Sequence, residues 1–152
     1  MTSDLTPQQQ LDGFIDKYTP AVAALTRALI AKVVARVPGA VIPVYDNYNA
    51  LAIGFGASDQ VKDVVFSLAV MPRWVTLCFN YGVRLDDPKR LLKGSGNQIR
   101  HIRLLTPDAW DAPEVQDFVT QALMLAEPRI DPDGEGRMVI KSISAKQRPR
   151  RP

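Results

Sequence analysis

The sequence is poor in the residues that build covalent and metal-bound scaffolds: its 152 residues contain one cysteine, Cys78, and one histidine, His101. A single cysteine excludes an intramolecular disulfide and indicates a reducing compartment. One histidine and one cysteine are too few for a zinc site, which needs several ligands. We therefore expect neither a disulfide-stabilised fold nor a bound metal or other cofactor.

Long apolar runs are missing as well. The longest apolar stretch, residues 21–37, is interrupted by three basic side chains, so it cannot cross a bilayer as about 20 apolar residues would. The opening decapeptide MTSDLTPQQQ has neither the basic region nor the apolar region of a secretory signal. We therefore expect a cytoplasmic protein without a membrane span.

What is present is the composition of a globular protein, with 46% hydrophobic and 23% charged residues. A chain of 152 residues has the length of one domain with a buried core. The net charge of +3 is uneven, because residues 137–152 carry six basic and no acidic side chains, which leaves 13 basic and 16 acidic residues before them. We predict one domain over residues 1–128, then a flexible linker and basic tail over residues 129–152.

Two helices are predicted at the start of the domain. Thr6, Pro7 and Gln9 have the spacing of a capping box with proline at the first helical position. Thr19 and Pro20 repeat this start signal, and the second helix is predicted to end near residue 37.

Further helix signals lie in the second half of the chain. Asp87 is predicted to cap a short helix over residues 89–93. Asp111 and Glu114 form a second capping-box pattern, followed by an apolar stripe at helical spacing that ends before Pro128.

Between the helices the hydrophobic period changes from helical to alternating. The predicted strands are residues 41–45, 50–55, 64–70, 74–80 and 99–105. A further short strand over residues 138–144 is left open. Short connections between neighbouring strands imply antiparallel pairing. We predict an α+β fold in which a mainly antiparallel sheet of about five strands is packed by the N-terminal and C-terminal helices.

Three stretches of the chain resemble the YdhG-like bacterial domains of unknown function: VYDNYNALAIGFG, MPRWVTLCFNYG and GVRLDDPKRLLKGSGNQIRHIRL. The resemblance covers residues 41–123 and is strongest over residues 85–104. It implies a compact α+β fold with helices packed on an antiparallel sheet, and it brings no established catalytic residues. Some members of that family are described as frataxin-like intracellular iron chaperones, so the resemblance also implies iron binding as an alternative function.

An iron chaperone would need exposed carboxylates, because hard cations prefer oxygen ligands. The candidates in this sequence are Asp108, Asp111, Glu114 and Asp117. Each lies at or near a predicted helix start, where an acidic side chain complements the helix dipole. We interpret them as capping residues and predict no metal site.

The predicted binding site is a glycine-containing turn followed by a basic strand. Glycines allow successive backbone N–H groups to converge on an anion, and arginines bind phosphate or carboxylate in bidentate fashion. Residues 84–103 hold six basic and two acidic side chains. The spacing matches neither a P-loop nor a dinucleotide fingerprint, so a helix cap with a tight turn is the alternative. The predicted anion contacts are Lys93, Gly94, Ser95, Gly96, Arg100, His101 and Arg103.

A second candidate is a pocket formed by aromatic and polar residues. Its predicted lining is Tyr45, Asn47, Tyr48 and Trp74, with turn residues and core aromatics as the alternative interpretation. A pocket near Tyr45, Trp74 and His101 would favour an enzyme, since a histidine can transfer protons near neutral pH. No nucleophile motif supports that hypothesis.

These observations favour a binding module over an enzyme, with no predicted catalytic residues. The expected partner is a small anionic ligand or another protein. A homodimer is a further expectation, because antiparallel sheets with one open face often pair. The basic tail is expected to attract polyanions weakly and without sequence selectivity, or to serve only solubility.

Overall fold

The computed structural model describes residues 4–152, so the first three residues of the predicted domain lie outside the described residues. The α-helices are α1 (Pro7–Ile15), α2 (Pro20–Arg36) and α3 (Pro113–Leu125). The strands are β1 (Ile42–Asp46), β2 (Leu51–Gly56), β3 (Val64–Val70), β4 (Val75–Phe79), β5 (Arg100–Leu104) and β6 (Met138–Ile143). The α+β class is confirmed. No helix within residues 4–152 is long and apolar enough to span a bilayer.

The strands form one sheet in the order β5-β4-β3-β2-β1-β6. Strands β1 to β5 pair antiparallel in sequence order. The first three connections are short, whereas residues 80–99 join β4 to β5. The prediction of about five strands is one short, because β6 joins the edge of β1 in parallel orientation. After α3 the chain crosses back to the edge of β1 before it forms β6. Hydrophobic alternation within one segment does not show which edge of the sheet that segment joins.

The two leading helices begin where the capping signals predict. The Thr6 hydroxyl accepts a hydrogen bond from the Gln9 backbone N–H at 3.1 Å, and the Gln9 side chain accepts one from the Thr6 N–H at 2.9 Å. The Thr19 hydroxyl accepts from the Val22 N–H at 3.3 Å. These contacts satisfy backbone donors that the first helical turn leaves free.

Two other helix predictions are wrong in detail. Helix α3 begins after Ala112 without a side-chain cap, and Asp111 forms an ion pair with Lys32 of α2 instead. Residues 89–93 form no helix. The Asp87 carboxylate accepts N–H groups four and five residues ahead, which closes a loop rather than starting a helical turn.

One face of the sheet forms the hydrophobic core with the helices. Phe66 lies at its centre, with ring centroids 5.9 Å from Phe55, 6.2 Å from Phe79 and 6.2 Å from Trp110. Phe79 in turn contacts Phe118 of α3 at 6.0 Å. This aromatic cluster fixes α3 over the ends of β3 and β4. The other sheet face carries short side chains, among them Ala52, Ser67, Ala69 and Cys78.

The segment after α3 differs from the predicted flexible linker and disordered tail. Residues 131–136 pack backbone to backbone on the turn after α2, so closely that a Cβ atom on Gly39 would collide with the carbonyl oxygen of Asp131. Strand β6 follows, and the tail then turns back over the end of β1. A basic, proline-containing segment is expected to be disordered when it has no folded partner. Here the segment contacts a carboxylate.

That carboxylate belongs to Asp46, whose side chain is fully buried. Arg150 of the tail donates to one of its oxygens at 2.9 Å, and Lys17 donates to the other at 2.7 Å. Gln147 donates to the Asp46 carbonyl at 3.0 Å. Burial acts to raise the pKa of Asp46, but the hydrogen bonds from Lys17, Gln147 and Arg150 outweigh it and lower the pKa below its usual value.

Replacing Arg150 with alanine should destabilise the fold by about 3 kcal/mol, because it removes one partner of a buried carboxylate. Urea unfolding of Arg150→Ala against wild type measures this, with the exposed Lys146→Ala as a control expected within about 0.5 kcal/mol of wild type.

Asp46 has a lowered pKa in the folded state, so its contribution to stability is present above pH 3.8 and is lost as the pH falls further. A pH-independent difference between the two proteins would contradict this assignment.

Two glycine substitutions should have opposite effects on stability. Gly39→Ala should destabilise by about 1–3 kcal/mol, because its Cβ would meet the Asp131 backbone. Gly13→Ala in α1 should stabilise by about 0.5–1 kcal/mol, since nothing lies near the added methyl group and alanine favours the helix. Urea unfolding of both variants checks the pair. Equal stability of the two would show that the linker does not pack against the turn.

Candidate functional site

A cleft of about 250 Å³ opens at the end of the sheet where β3 begins and β4 ends. One wall is the turn after β4, and the other is the C-terminal turn of α3. The lining residues are Lys62, Asp63, Val64, Val65, Phe79, Tyr81, Arg84, Leu85, Ala122, Leu125, Ala126, Glu127 and Pro128. The cleft thus has an apolar interior with charged groups among its lining, which is the usual composition of a small-ligand pocket.

The floor of the cleft is part of the hydrophobic core. Val65 and Phe79 are buried, and Ala122 of α3 is buried beside them. Leu125, in contrast, is 48% exposed at the last residue of α3. An apolar side chain of a ligand placed against Leu125 would remove that residue from water, which favours binding at about 25 cal/mol per Å² of apolar surface.

Gly82 determines the shape of the wall that follows β4. A Cβ atom at this position would lie 2.5 Å from the Cβ of Arg100 in β5, so only glycine allows the chain to pass so close to the sheet edge. The chain then forms a short 3-10 helix, Gly82–Arg84, which brings Arg84 to the cleft.

Arg84 is the cation that this wall presents. Its guanidinium lies 5.0 Å from the centre of the Tyr81 ring, a cation–π arrangement that restricts the side chain. The Tyr81 hydroxyl donates to the Lys62 carbonyl at 3.0 Å, which fixes the ring. Within residues 4–152 Arg84 has no ion-pair partner. A guanidinium held in place without a carboxylate is suited to bind an anion.

The other cation of the cleft is already paired. Lys62 lies 3.2 Å from the Asp63 carboxylate, which also accepts a hydrogen bond from the Ser58 hydroxyl at 2.7 Å. The hydrogen bond from Ser58, followed by that from Lys62, lowers the pKa of Asp63. Lys62 and Asp63 therefore offset each other and leave Arg84 as the free positive charge of the cleft.

The residues of the predicted anion turn do not converge on one binding site. The Arg100 guanidinium donates to the carbonyl oxygens of Gly96 and Ile99, both at 2.7 Å, and so closes its own turn. Lys93 and His101 are linked by reciprocal backbone hydrogen bonds of 2.8 and 2.9 Å. Gly94 has a φ of +131°, which only glycine adopts readily. Ser95 and Gly96 lie exposed in the loop that follows.

Arg103 points to the face of the sheet opposite the helices. Its guanidinium stacks on the Trp74 ring at 3.8 Å. His101 shares that face and lies opposite Cys78 in the neighbouring strand. Because side chains alternate along β5, His101 and Arg103 lie on one face and Arg100 on the other. The predicted contacts of one anion are thus divided between two faces of the sheet.

The predicted aromatic pocket is also divided. Tyr45 lies on β1 and His101 on β5, four strand spacings or about 19 Å away. Trp74 lies next to β4, and β2 and β3 separate it from Tyr45. Burial, followed by the nearby charge of Asp59, raises the pKa of Tyr45.

Asn47 and Tyr48, the other predicted pocket residues, contact the tail. The Asn47 carbonyl accepts from the Arg150 guanidinium at 2.6 Å, and its side chain accepts from the Ser142 hydroxyl at 3.0 Å. The Tyr48 carbonyl accepts from the Arg148 N–H at 2.9 Å. These two residues therefore anchor the C-terminal segment to the end of β1.

A second cavity of about 230 Å³ lies near the start of α3. Its charged residues have partners: Asp87 accepts the N–H groups of Leu91 and Leu92, Glu114 lies 3.8 Å from Lys89, and Asp117 accepts from the Gln121 side chain at 2.8 Å. Residues 4–152 contain no group of three or more His, Cys, Asp or Glu side chains placed to hold a metal ion. The cleft at Arg84 is the better candidate, because its charges include an unengaged one.

Sequence reasoning missed most of this cleft. Arg84 was included only as the first residue of the basic stretch 84–103, and Glu127 carried no signal. The walls come from segments about 40 residues apart in the chain, so only the packing of α3 on the sheet brings them together.

Cys78 should react slowly with alkylating reagents. Burial, partly opposed by a hydrogen bond with Ser67, raises the pKa of its thiol to about 11. At pH 8 the thiolate is then scarce, so iodoacetamide should modify the folded protein at least about tenfold more slowly than the urea-unfolded protein. The rate should rise with pH toward 11. Equal rates for folded and unfolded protein at pH 8 would contradict the raised pKa of Cys78.

No protein-family model, no curated protein and no solved structure matches this chain. The resemblance to YdhG-like domains therefore stays a prediction from the residues that carry it.

Proposed function

We propose that this protein is a small-ligand binding module, and that its ligand has an anionic group and an apolar body. The observation that carries the proposal is Arg84, an arginine without an ion-pair partner in residues 4–152, held by Tyr81 at the cleft. The anionic group of the ligand would bind the guanidinium, and the apolar body would lie on Phe79 and Leu125.

The cleft at Arg84 is favoured over the turn at residues 93–103 as the anion site. An anion in that turn would have to compete with two carbonyl oxygens for the Arg100 guanidinium. It would also lie in an open loop, because residues 93–98 are exposed. At Arg84 no internal acceptor of residues 4–152 occupies the guanidinium, and an apolar floor lies beside it.

The size of the cleft restricts the ligand class. A volume of about 250 Å³ lies just below the range of about 300–1,000 Å³ that ligand pockets usually have. The cleft therefore suits a short carboxylate or a molecule of similar size better than a nucleotide.

The alternatives have weaker support. For an enzyme, Tyr45, Trp74 and His101 would have to act together, but β2 and β3 lie between the first and the other two. For an iron chaperone, Asp111 and Glu114 would have to be free, but they pair with Lys32 and Lys89. A homodimer, weak polyanion contacts of the tail and a cytoplasmic location stay predictions.

Hexanoate is a suitable first probe, because it combines a carboxylate with a short apolar chain. We expect saturable binding by isothermal titration calorimetry, and a rise in melting temperature with hexanoate concentration. Arg84→Gln should weaken the affinity about tenfold, since it removes a charge-assisted hydrogen bond to the carboxylate.

Arg73→Gln is the matched control, because Arg73 is exposed at the turn between β3 and β4, at the opposite end of these strands. It should leave hexanoate binding unchanged. If hexanoate bound wild type and Arg84→Gln equally, Arg84 would not be the anion site of a small-ligand module.

A further inference from the structure

We propose that the ligand of the cleft is a zwitterion of the amino-acid class, with its carboxylate on Arg84 and its ammonium group on the wall formed by the end of α3. This inference rests on the proposed function, because it assumes that Arg84 binds the carboxylate. It adds the second charge and thereby names the class of ligand.

The first observation is the charge of the cleft. Lys62 and Asp63 pair with each other, so the remaining charged groups of the lining are Arg84 and Glu127. Neither forms an ion pair within residues 4–152. They come from different walls, Arg84 from the turn after β4 and Glu127 from the segment after α3. One cation and one anion on two walls are complementary to a molecule that carries both charges.

The second observation is the direction of α3. The last residues of this helix line the cleft, so the negative end of the helix dipole and its free carbonyl groups lie on the same wall as Glu127. No basic side chain lies in the last turn of α3 to compensate that end. Arg129 donates to the Met124 carbonyl at 2.9 Å and so compensates part of this helix end. Glu127 is therefore the main group on the α3 wall that would bind a cation.

The apolar floor of the cleft would contact the uncharged part of the ligand. Phe79 and Leu125 offer an apolar surface between the two charged walls, which suits a hydrocarbon side chain or spacer. A simple carboxylate would fill the floor and reach Arg84 but would leave the α3 wall without a partner. A simple amine would do the reverse, with Arg84 unpaired. Only a zwitterion of small size matches both walls within about 250 Å³.

Four probes separate these possibilities by isothermal titration calorimetry on the full chain. L-Leucine has adjacent charges and 6-aminohexanoate has separated charges, whereas hexanoate lacks the ammonium group and hexylamine lacks the carboxylate. We expect at least one zwitterion to bind about threefold or more tightly than hexanoate, as one partly exposed ion pair allows. Whichever zwitterion binds more tightly indicates the distance between the group that binds the carboxylate and the group that binds the ammonium.

Variants assign the two charges. Glu127→Gln should abolish the advantage of the zwitterion and leave hexanoate affinity unchanged or slightly higher. Arg84→Gln should weaken both by about tenfold. Glu135→Gln is the control for Glu127, because it removes an exposed glutamate of the linker outside the cleft lining. It should change neither affinity.

The outcomes distinguish the two proposals. If hexanoate bound as tightly as both zwitterions and Glu127→Gln changed nothing, this inference would be wrong while the proposed anion site at Arg84 held. If hexanoate and both zwitterions failed to bind, or bound Arg84→Gln as well as wild type, the proposed function itself would be wrong. A zwitterion advantage that Glu127→Gln removes would support both.

Discussion

The packing of Phe66 against its aromatic neighbours is the interaction on which the rest of this structure depends. Phe66 contacts Phe55, Phe79 and Trp110, and Phe79 contacts Phe118 of α3, so one cluster joins three strands to the closing helix. Aromatic rings contribute large buried areas and prefer tilted or edge-to-face contacts, which restrict how α3 can lie on the sheet. The position of α3 in turn determines the second wall of the cleft. A change in this cluster would therefore alter the cleft without touching any charged residue.

The cleft combines a core surface with two charged walls of opposite sign. Its floor continues the hydrophobic core, and Gly82 lets the turn after β4 pass close to Arg100, so that Arg84 reaches the opening. The end of α3 brings Glu127 and the negative end of a helix dipole to the other side. None of these groups is unusual alone. Their arrangement around one small volume is the basis of the proposal of a ligand with an apolar body and charges at defined positions.

At the other end of the molecule a buried carboxylate organises the C-terminal segment. Asp46 accepts hydrogen bonds from Lys17 and Arg150, so it connects the end of α1, the end of β1 and the tail. The Arg150 side chain is 5% exposed, which is rare for an arginine unless it is paired. This contact engages one of the six basic residues that the sequence places at its C-terminus. It leaves fewer tail cations free for the polyanion contacts that the charge distribution suggests.

The sequence by itself determined the local structure. The capping residues Thr6 and Thr19 fixed two helix starts, and the alternation of apolar residues located β2 to β4 within one residue, because capping and strand pleating act over a few neighbouring positions. The tertiary structure alone decided three features: the parallel pairing of β6 with β1, the burial of Arg150 against Asp46, and the presence of both Arg84 and Glu127 in the lining of one cleft. Each depends on contacts between distant segments, whose partners are set by the packing of the whole core and not by the residues beside them.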